Sequence, residues 1–329
     1  MTNQRRHIVP ADAALVIGIL ARDCGASIEA NISRVETLGR CFKDYHVVVY
    51  ENDSKDSTKA VLQAWSEKNS RVLAIMEDTP VQSAHHTEAV PYPDKSVFRI
   101  QRMANCRNRL LDEVRKRYAP DLFCFIDIDI ERFSPQSVVT AIERAPDDWG
   151  ALFANGAIYM QYSDHEQPHF MQYDSFAYVD EGADPLKSKA WMVDKDYHIV
   201  TSCRMTWKLR HHDYLPCLSA FNGLGIYRWE LIADHDYCVL QTPELAAVNA
   251  CMCEHVPFNM DIIKKGWRNY LVRDMKVVYW HETPKEKTGL GRWQNYHRAC
   301  YYFQGRPRLA FKTALHLLKQ RLRLFPYQH

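Results

Sequence analysis

Two hydrophobic patterns alternate along the first half of the chain. Short unbroken apolar runs, Ala14-Leu15-Val16-Ile17-Gly18-Ile19-Leu20 and Tyr45 to Tyr50 around Val47-Val48-Val49, have the length of strands buried on both faces. Between and after them apolar residues recur at helical spacing. Ile28, Ile32, Val35 and Leu38 predict a helix with Ser27 as its N-cap, and Val61, Ala64 and Trp65 predict a second one. Val72 to Ile75 predicts a third strand. From Ser96 the stripe Ile100, Met103, Leu110, Val114 and Tyr118 predicts a long helix, followed by the apolar run Leu122-Phe123-Cys124-Phe125-Ile126. Strands alternating with helices predict an α/β fold with a mixed, mostly parallel sheet and helices on both faces.

The second half is less regular. Ser134 to Arg144 predicts a short helix, and Trp149 to Tyr162 reads as strand material broken at a turn, Asn155-Gly156. Residues 163 to 213 are polar and aromatic with little periodicity, which predicts an insertion over the sheet with a solvated His211-His212. Leu215 to Tyr227 carries Asn222-Gly223-Leu224-Gly225, either a glycine-softened strand or a place where backbone approaches a ligand closely. Leu245 to Val256 predicts a helix, and Met275 to Trp280 a late strand with His281 at its end. In the tail, Leu309, Ala310, Leu317 and Leu318 lie among Arg308, Lys312, Lys319, Arg321 and Arg323. Such a basic amphipathic helix either packs on the domain or lies on an anionic membrane surface. The concentration of charge there favours the membrane.

Bulk composition changes this picture little. The 329 residues are 47% hydrophobic and 25% charged, with a net charge of +2, so nothing global points to nucleic acid as a partner. Ten scattered cysteines read as reduced thiols of a cytosolic protein. No apolar run approaches bilayer length, and Met1 to Pro10 lacks the apolar core of a secretory signal.

The polar clusters carry the chemistry. In open α/β sheets ligands sit outside the carboxyl ends of the strands. Ala21-Arg22-Asp23, Glu51-Asn52-Asp53 and Asp127-Ile128-Asp129 all fall at that edge. Residues i and i+2 share a face of a strand, so Asp127 and Asp129 are placed to offer hard oxygen ligands to Mn²⁺ or Mg²⁺. The plain alternative is two acids opening a surface loop, and three clusters in register weigh against it. Arg107 takes an apolar place in its helix stripe, and a guanidinium facing inward needs an anionic partner, either a core acid or a site group. Cys251, Cys253, Glu254 and His255 match no common zinc spacing, and Glu254 reads better as a carboxylate facing a substrate.

With these residues laid out, the chain resembles GT-A (Rossmann-like) glycosyltransferases over roughly residues 14 to 282. The likeness lies in Ala21-Arg22-Asp23, Tyr50-Glu51-Asn52-Asp53-Ser54, Arg107-Asn108, the Asp127-Ile128-Asp129 version of the DXD motif, Asn222-Gly223-Leu224-Gly225, Glu254 and His281. Within that fold, Glu51 to Thr58, Arg102 to Asn108 and Cys253-Glu254-His255 look like the capsular α-1,3-mannosyltransferase group of encapsulated fungi. The resemblance implies a catalytic domain over 14–300, with 163–213 on its acceptor side, between an N-terminal segment 1–13 and the tail 301–329. It implies a hexose, mannose favoured, moved from a nucleotide-sugar donor such as GDP-mannose to a glycan or lipid-linked acceptor in surface polysaccharide synthesis.

The same resemblance implies residue roles. Ala21, Arg22, Asp23, Glu51, Asn52, Asp53, Arg102, Arg107 and Asp127 would bind the donor, with Arg107 on its diphosphate. Asp127, Asp129 and His281 would hold the metal, Asp129 and Glu254 would be catalytic, and Asn222, Gly223 and His255 would meet the acceptor. Glu254 would be a base in an inverting reaction, or would orient the acceptor or stabilise the sugar cation in the retaining α-mannosyl transfer that the likeness suggests. Fungal members carry a membrane anchor ahead of the catalytic domain. Its absence here leads to the expectation of a cytoplasmic enzyme, peripheral on the inner membrane face. Two other readings stand beside this one. A sugar nucleotidyltransferase would want a glycine-rich, lysine-bearing loop after the first strand, which Ala21-Arg22-Asp23-Cys24-Gly25 is not. A catalytically silent sugar-binding protein on the same fold would have little reason to keep both acids.

Overall fold

The structure, a computed structural model, describes residues 7–78, 93–161, 169–187 and 195–282. In chain order it runs β1 (Ala14–Ala21), α1 (Gly25–Arg40), β2 (Asp44–Asn52), α2 (Thr58–Lys68), β3 (Val72–Glu77), α3 (Val97–Arg117) and β4 (Leu122–Asp127). There follow β5 (Arg132–Phe133), α4 (Pro135–Glu143), β6 (Trp149–Gln161), β7 (His169–Gln172), β8 (Val179–Asp180), α5 (Lys195–Leu209), β9 (Tyr214–Ser219) and β10 (Leu224–Arg228). Two single-turn helices, α6 (Trp229–Ile232) and α7 (Pro243–Ala246), precede α8 (His255–Lys264) and the long final strand β11 (Arg268–Glu282).

All strands join one sheet in the order β3-β2-β1-β4-β10-β6-β11-β9-β8, with β5 and β7 attached beside β11 and β6. Strands β1 to β4 are mutually parallel, β6 and β11 run the same way, and β10 is antiparallel to both its neighbours. This is the mixed, mostly parallel sheet expected of a GT-A glycosyltransferase. Alternate residues of the strands feed two cores. Leu15, Ile17, Ile19, Val47 and Val49 pack against Ile28, Val35, Leu38, Leu62, Val138 and Ile142 of α1, α2 and α4. Val16, Val48, Phe123 and Phe125 pack against Leu110, Leu111 and Val114 of α3 and Phe258 and Ile262 of α8. Among the described residues no helix is long and apolar enough to cross a membrane.

Several local expectations are corrected. Helix α1 begins at Gly25 with Cys24 in the cap position, so Ser27 lies inside it. In α2 the inward residues are Leu62 and Trp65, while Ala64 is exposed. Strand β6 runs unbroken through Asn155-Gly156. Asn155 is tied in from both sides, its Nδ2 donating to the Arg273 carbonyl at 2.7 Å and its Oδ1 accepting from Gln172 at 2.7 Å. Gly156 is needed for closeness and not for a turn: a Cβ there would lie 2.6 Å from the Asn222 carbonyl. Leu245 to Val256 is not one helix. Residues between α7 and α8 carry Cys251 and Cys253 in an irregular segment, which bridges Ala250 to Ser96 and hydrogen-bonds Cys251 to the Lys95 carbonyl. His211 and His212 are exposed, as expected, while the tail beyond Glu282 lies outside the described residues.

Candidate active site

Strand register aligns the three polar clusters. Leu20 pairs with Asp127 and Ala21 with Glu51, so the loops after β1, β2 and β4 leave one sheet edge side by side. The first two loops brace each other. The Asp23 amide donates to Ser54 Oγ (3.0 Å), the Lys55 amide to Asp23 Oδ1 (2.8 Å), the Cys24 amide to Thr58 Oγ1 (2.9 Å) and the Gly25 amide to Asp56 Oδ2 (3.0 Å). Asp23 and Asp53 sit in the left-handed region at φ 48° and 58°, a conformation aspartate tolerates better than most residues. Arg102 reaches from α3 to donate to Asp53 Oδ2 at 2.7 Å, and Asn52 Nδ2 donates to the same oxygen at 2.9 Å. Arg22 is exposed and only 3.7 Å from the Asp23 carboxylate, whereas Ala21 is buried in β1. Glu51 is fully buried; its Oε1 accepts from the Ser54 amide at 2.7 Å, and its Oε2 has no hydrogen-bond partner.

The acid pair straddles the end of β4. Asp127 is the last strand residue and half-buried, while Asp129 stands in the following turn and is exposed, so the expected strand does not extend to it. The turn still holds both acids toward one side, because Ile128 and Ile130 are buried and Asn31 of α1 donates to their carbonyls at 3.4 and 2.7 Å. Asp127 Oδ2 accepts from the Tyr279 hydroxyl at 2.9 Å, and the Asp127 amide donates to the Gly223 carbonyl at 2.9 Å. Burial first, and then the charge of Asp129, pushes the Asp127 carboxyl up to about 7 against the pull of Arg107 and Tyr279. Two carboxylates that repel each other in a half-dry corner are a donor set suited to a hard divalent cation. Among the described residues no cluster of three or more His, Cys, Asp or Glu side chains is arranged to hold a metal. The backbone of His281 lies in β11 opposite Met160, and its side chain is outside what is described.

Arg107 does point inward, and its partner is Glu254. Nε donates to Oε1 at 3.1 Å, with each residue 4% exposed. Three rings surround the guanidinium, with Phe125 and Phe221 at 5.1 Å and Tyr237 at 5.5 Å. Burial alone would lower the Arg107 pKa, but Glu254, Tyr237 and Asp127 outweigh it, so the side chain holds its proton more tightly than usual. The other Glu254 oxygen is 3.6 Å from the Cys253 thiol. His255 is 2% exposed, stacked on Phe221 at 4.1 Å, with Nδ1 3.3 Å from the Tyr237 hydroxyl. Burial, then Arg107, keeps its pKa well below the usual value, so the ring is neutral.

On the remaining side, the turn before β10 has Asn222 at φ 55° and Gly223 at φ 84°. A Cβ on Gly223 would run into the Tyr279 hydroxyl, so this glycine makes room for the residue that holds Asp127. Asn222 is fully buried; its Oδ1 accepts from the Asp174 amide at 3.0 Å and its Nδ2 has no partner. Four residues at this corner escape sequence reasoning: Asn31, Tyr173, Asp174 and Tyr279. Asn31 leaves one signal, a polar residue on the buried stripe between Ile28 and Val35. Tyr173 stacks on Tyr279 with centroids 3.7 Å apart, bringing the loop after β7 to the acid pair. No local pattern marks that encounter.

Solved structures with related architecture share little sequence. The mannosyltransferase PcManGT from Pyrobaculum calidifontis, in complex with GDP-Man and Mn²⁺, is 12% identical, with 93% of this chain and 70% of that one covered at a TM-score of 0.44. S. aureus TarS (1–349) is 11% identical over 81% of this chain and 60% of that one, with a TM-score of 0.42. Glucosyl-3-phosphoglycerate synthase from Mycobacterium tuberculosis, with Mn²⁺, UDP-Glc and phosphoglyceric acid, is 14% identical over 89% and 80%, with a TM-score of 0.38. No curated protein matches the sequence. A family model does: residues 19–254, from the middle of β1 through Glu254, match the family described as Cryptococcal mannosyltransferase 1, and the chain belongs to that family of glycosyltransferases.

Proposed function

We propose that this glycosyltransferase moves a hexose, mannose favoured, from a nucleoside diphosphate sugar to a hydroxyl of a glycan or lipid-linked acceptor in surface polysaccharide synthesis. The observation that carries this reading is the half-buried Asp127 beside Asp129, at the edge shared with the braced Asp23 and Asp53 loops. Asp127 and Asp129 would hold Mn²⁺ or Mg²⁺, with water, substrate phosphates and His281 as further ligands. When bound, the cation neutralises the charge that builds on the departing diphosphate. Asp23, Asp53 and the Arg102 that orients it would bind the nucleoside, flanked by Ala21, Arg22, Glu51 and Asn52. Arg107 adds a fixed positive charge beneath Asp127. The Asn222-Gly223 turn borders the acid corner on the acceptor side, and His255 backs it.

Glu254 is the residue whose expected role changes most. Either as base or as a carboxylate facing the sugar in a retaining transfer, it would have to part from Arg107. Its bond at 3.1 Å and its 4% exposure support a positioning role for it. The tail Arg306 to Phe325 is proposed to hold the enzyme on an anionic membrane surface, on the cytoplasmic side.

A thermal-shift titration tests the core of this reading. GDP is expected to raise the melting temperature in the presence of Mn²⁺ more than UDP does, and Asp129→Ala is expected to abolish the metal-dependent part. A protein indifferent to both nucleotides, with and without Mn²⁺, is not a nucleotide-sugar transferase. For the tail, vesicles containing anionic lipid should retain the full chain and release one truncated before Arg306.

A further inference from the structure

We infer that Asn31 is a positioning residue for the cation-binding acids: from α1 it fixes the turn that sets Asp129 against Asp127, an inference that rests on the glycosyl-transfer reading above.

An amide side chain on a buried helix stripe has to find its partners inside the protein. Asn31 lies between Ile28 and Val35 on the inward face of α1 and is fully buried. Its Nδ2 donates within the helix to the Ser27 carbonyl at 3.1 Å. It also reaches across to the turn after β4, to the Ile130 carbonyl at 2.7 Å and the Ile128 carbonyl at 3.4 Å. Its Oδ1 accepts from Arg34 at 3.0 Å, and the same guanidinium nitrogen donates to the Glu131 carbonyl at 3.4 Å.

The two carbonyls that Asn31 holds belong to the residues on either side of Asp129. The side chains of Ile128 and Ile130 enter the same core as Ile28 and Val35, and the Glu131 amide closes the far end of the turn on the Val278 carbonyl at 2.9 Å. The backbone of Asp129 is therefore gripped on both flanks while its carboxylate is exposed. Asp127 is held separately, by the Tyr279 hydroxyl and the Gly223 carbonyl. Two like charges push apart, and a stiff main chain keeps them at a separation that one cation can bridge. Helix α1 is itself fastened at its start to the loop after β2, through the Cys24 amide on Thr58 and the Gly25 amide on Asp56. One helix thus registers the acid turn against the nucleoside side of the edge. Asn31 touches neither acid and acts through the main chain of Ile128 and Ile130. Without its amide the acid turn loses its tether, whereas the nucleoside-side loops keep theirs.

The test uses the full chain saturated with GDP. Mn²⁺ is titrated in, the free ion being followed by its paramagnetic resonance signal, and GDP affinity without metal is measured beside it. Asn31→Ala is expected to weaken Mn²⁺ binding about 10-fold, with metal-free GDP affinity staying within about twofold of wild type. Arg34→Met leaves the buried amide in place and removes the donor to its Oδ1, from a half-buried position at the helix surface. Mn²⁺ binding about three to fivefold weaker is expected there. Mn²⁺ affinity of Asn31→Ala within about twofold of wild type, or metal-free GDP affinity falling by the same factor as the metal, overturns the assignment. If Asn31→Ala fails to fold, Arg34→Met decides, and unchanged Mn²⁺ binding in that variant overturns it too. A wild-type GDP complex that takes up no Mn²⁺ does the same. A wild-type protein that binds neither GDP nor UDP takes down the functional reading itself, a failure seen before any variant is compared.

Discussion

The Arg107–Glu254 pair offers the sharpest test of how this site is held. Both residues are 4% exposed, so neutralising one strands the other's charge away from water. Breaking a buried pair from one side costs about 3–5 kcal/mol. Glu254→Gln retains an oxygen for Arg107 Nε, and the rings of Phe125, Phe221 and Tyr237 still face the guanidinium. The loss should therefore sit near the lower end, about 3 kcal/mol, and Glu254→Ala near the upper. Against a total stability of about 5–15 kcal/mol this is a large fraction. Replacing both partners with apolar residues, Arg107→Met with Glu254→Leu, removes the stranded charge and is expected to return to within about 2 kcal/mol of wild type. Urea unfolding of the wild type, Arg107→Met, Glu254→Leu and the double replacement measures the cycle, with Glu254→Gln and Glu254→Ala run beside them and a constant m-value as the check that only the folded state has changed. If Glu254→Gln costs less than about 1 kcal/mol, or the double replacement costs more than the sum of the singles, the pair is not the closed structural unit described here.

Three further outcomes follow from the acid corner. Tyr279→Phe removes the hydroxyl on Asp127 and is expected to weaken Mn²⁺ binding about 10 to 100-fold with little change in fold, measured by metal titration. Gly223→Ala combines an unfavourable φ of 84° with a clash on Tyr279 and should cost about 2–4 kcal/mol, read from chemical denaturation. The third concerns pH. Because the folded Asp127 carboxyl titrates near 7, above its unfolded value, the native state binds the extra proton, and metal-free stability should fall as pH rises from about 4 through 7. Asp127→Asn should flatten that decline and raise the metal-free melting temperature at pH 8, while Mn²⁺ should stabilise only the wild type; a pH profile unchanged by the substitution contradicts the assignment.

Much of the frame was legible because strand and helix periods are local signals. The runs at Ala14, Val47 and Leu122 gave three of the parallel strands, and the three polar clusters fell at one edge because parallel strands share a carboxyl end. Arg107 was legible for a different reason: a charge in an apolar stripe has to be answered. What answered it was not legible, since Glu254 lies 147 positions away and arrives by way of an irregular segment mistaken for helix. The glycines of Asn222-Gly223-Leu224-Gly225 read either as softening a strand or as room for a ligand, whereas Gly223 makes room for Tyr279. Asp174 carries no motif at all. Its place depends on Tyr173 meeting Tyr279 and on Asn222 reaching its amide, contacts between loops that a linear pattern does not encode.

The position of β11 has a consequence for how this protein is made. It is the last strand described in the chain, yet it inserts between β6 and β9 and supplies the phenol that holds Asp127. During synthesis the parallel strands β1 to β4 can associate early, but their acid end remains unsupported until residue 279 has emerged. Half-built chains of this protein should therefore display open strand edges along β6 and hold cations poorly, and competence would arrive late and all at once.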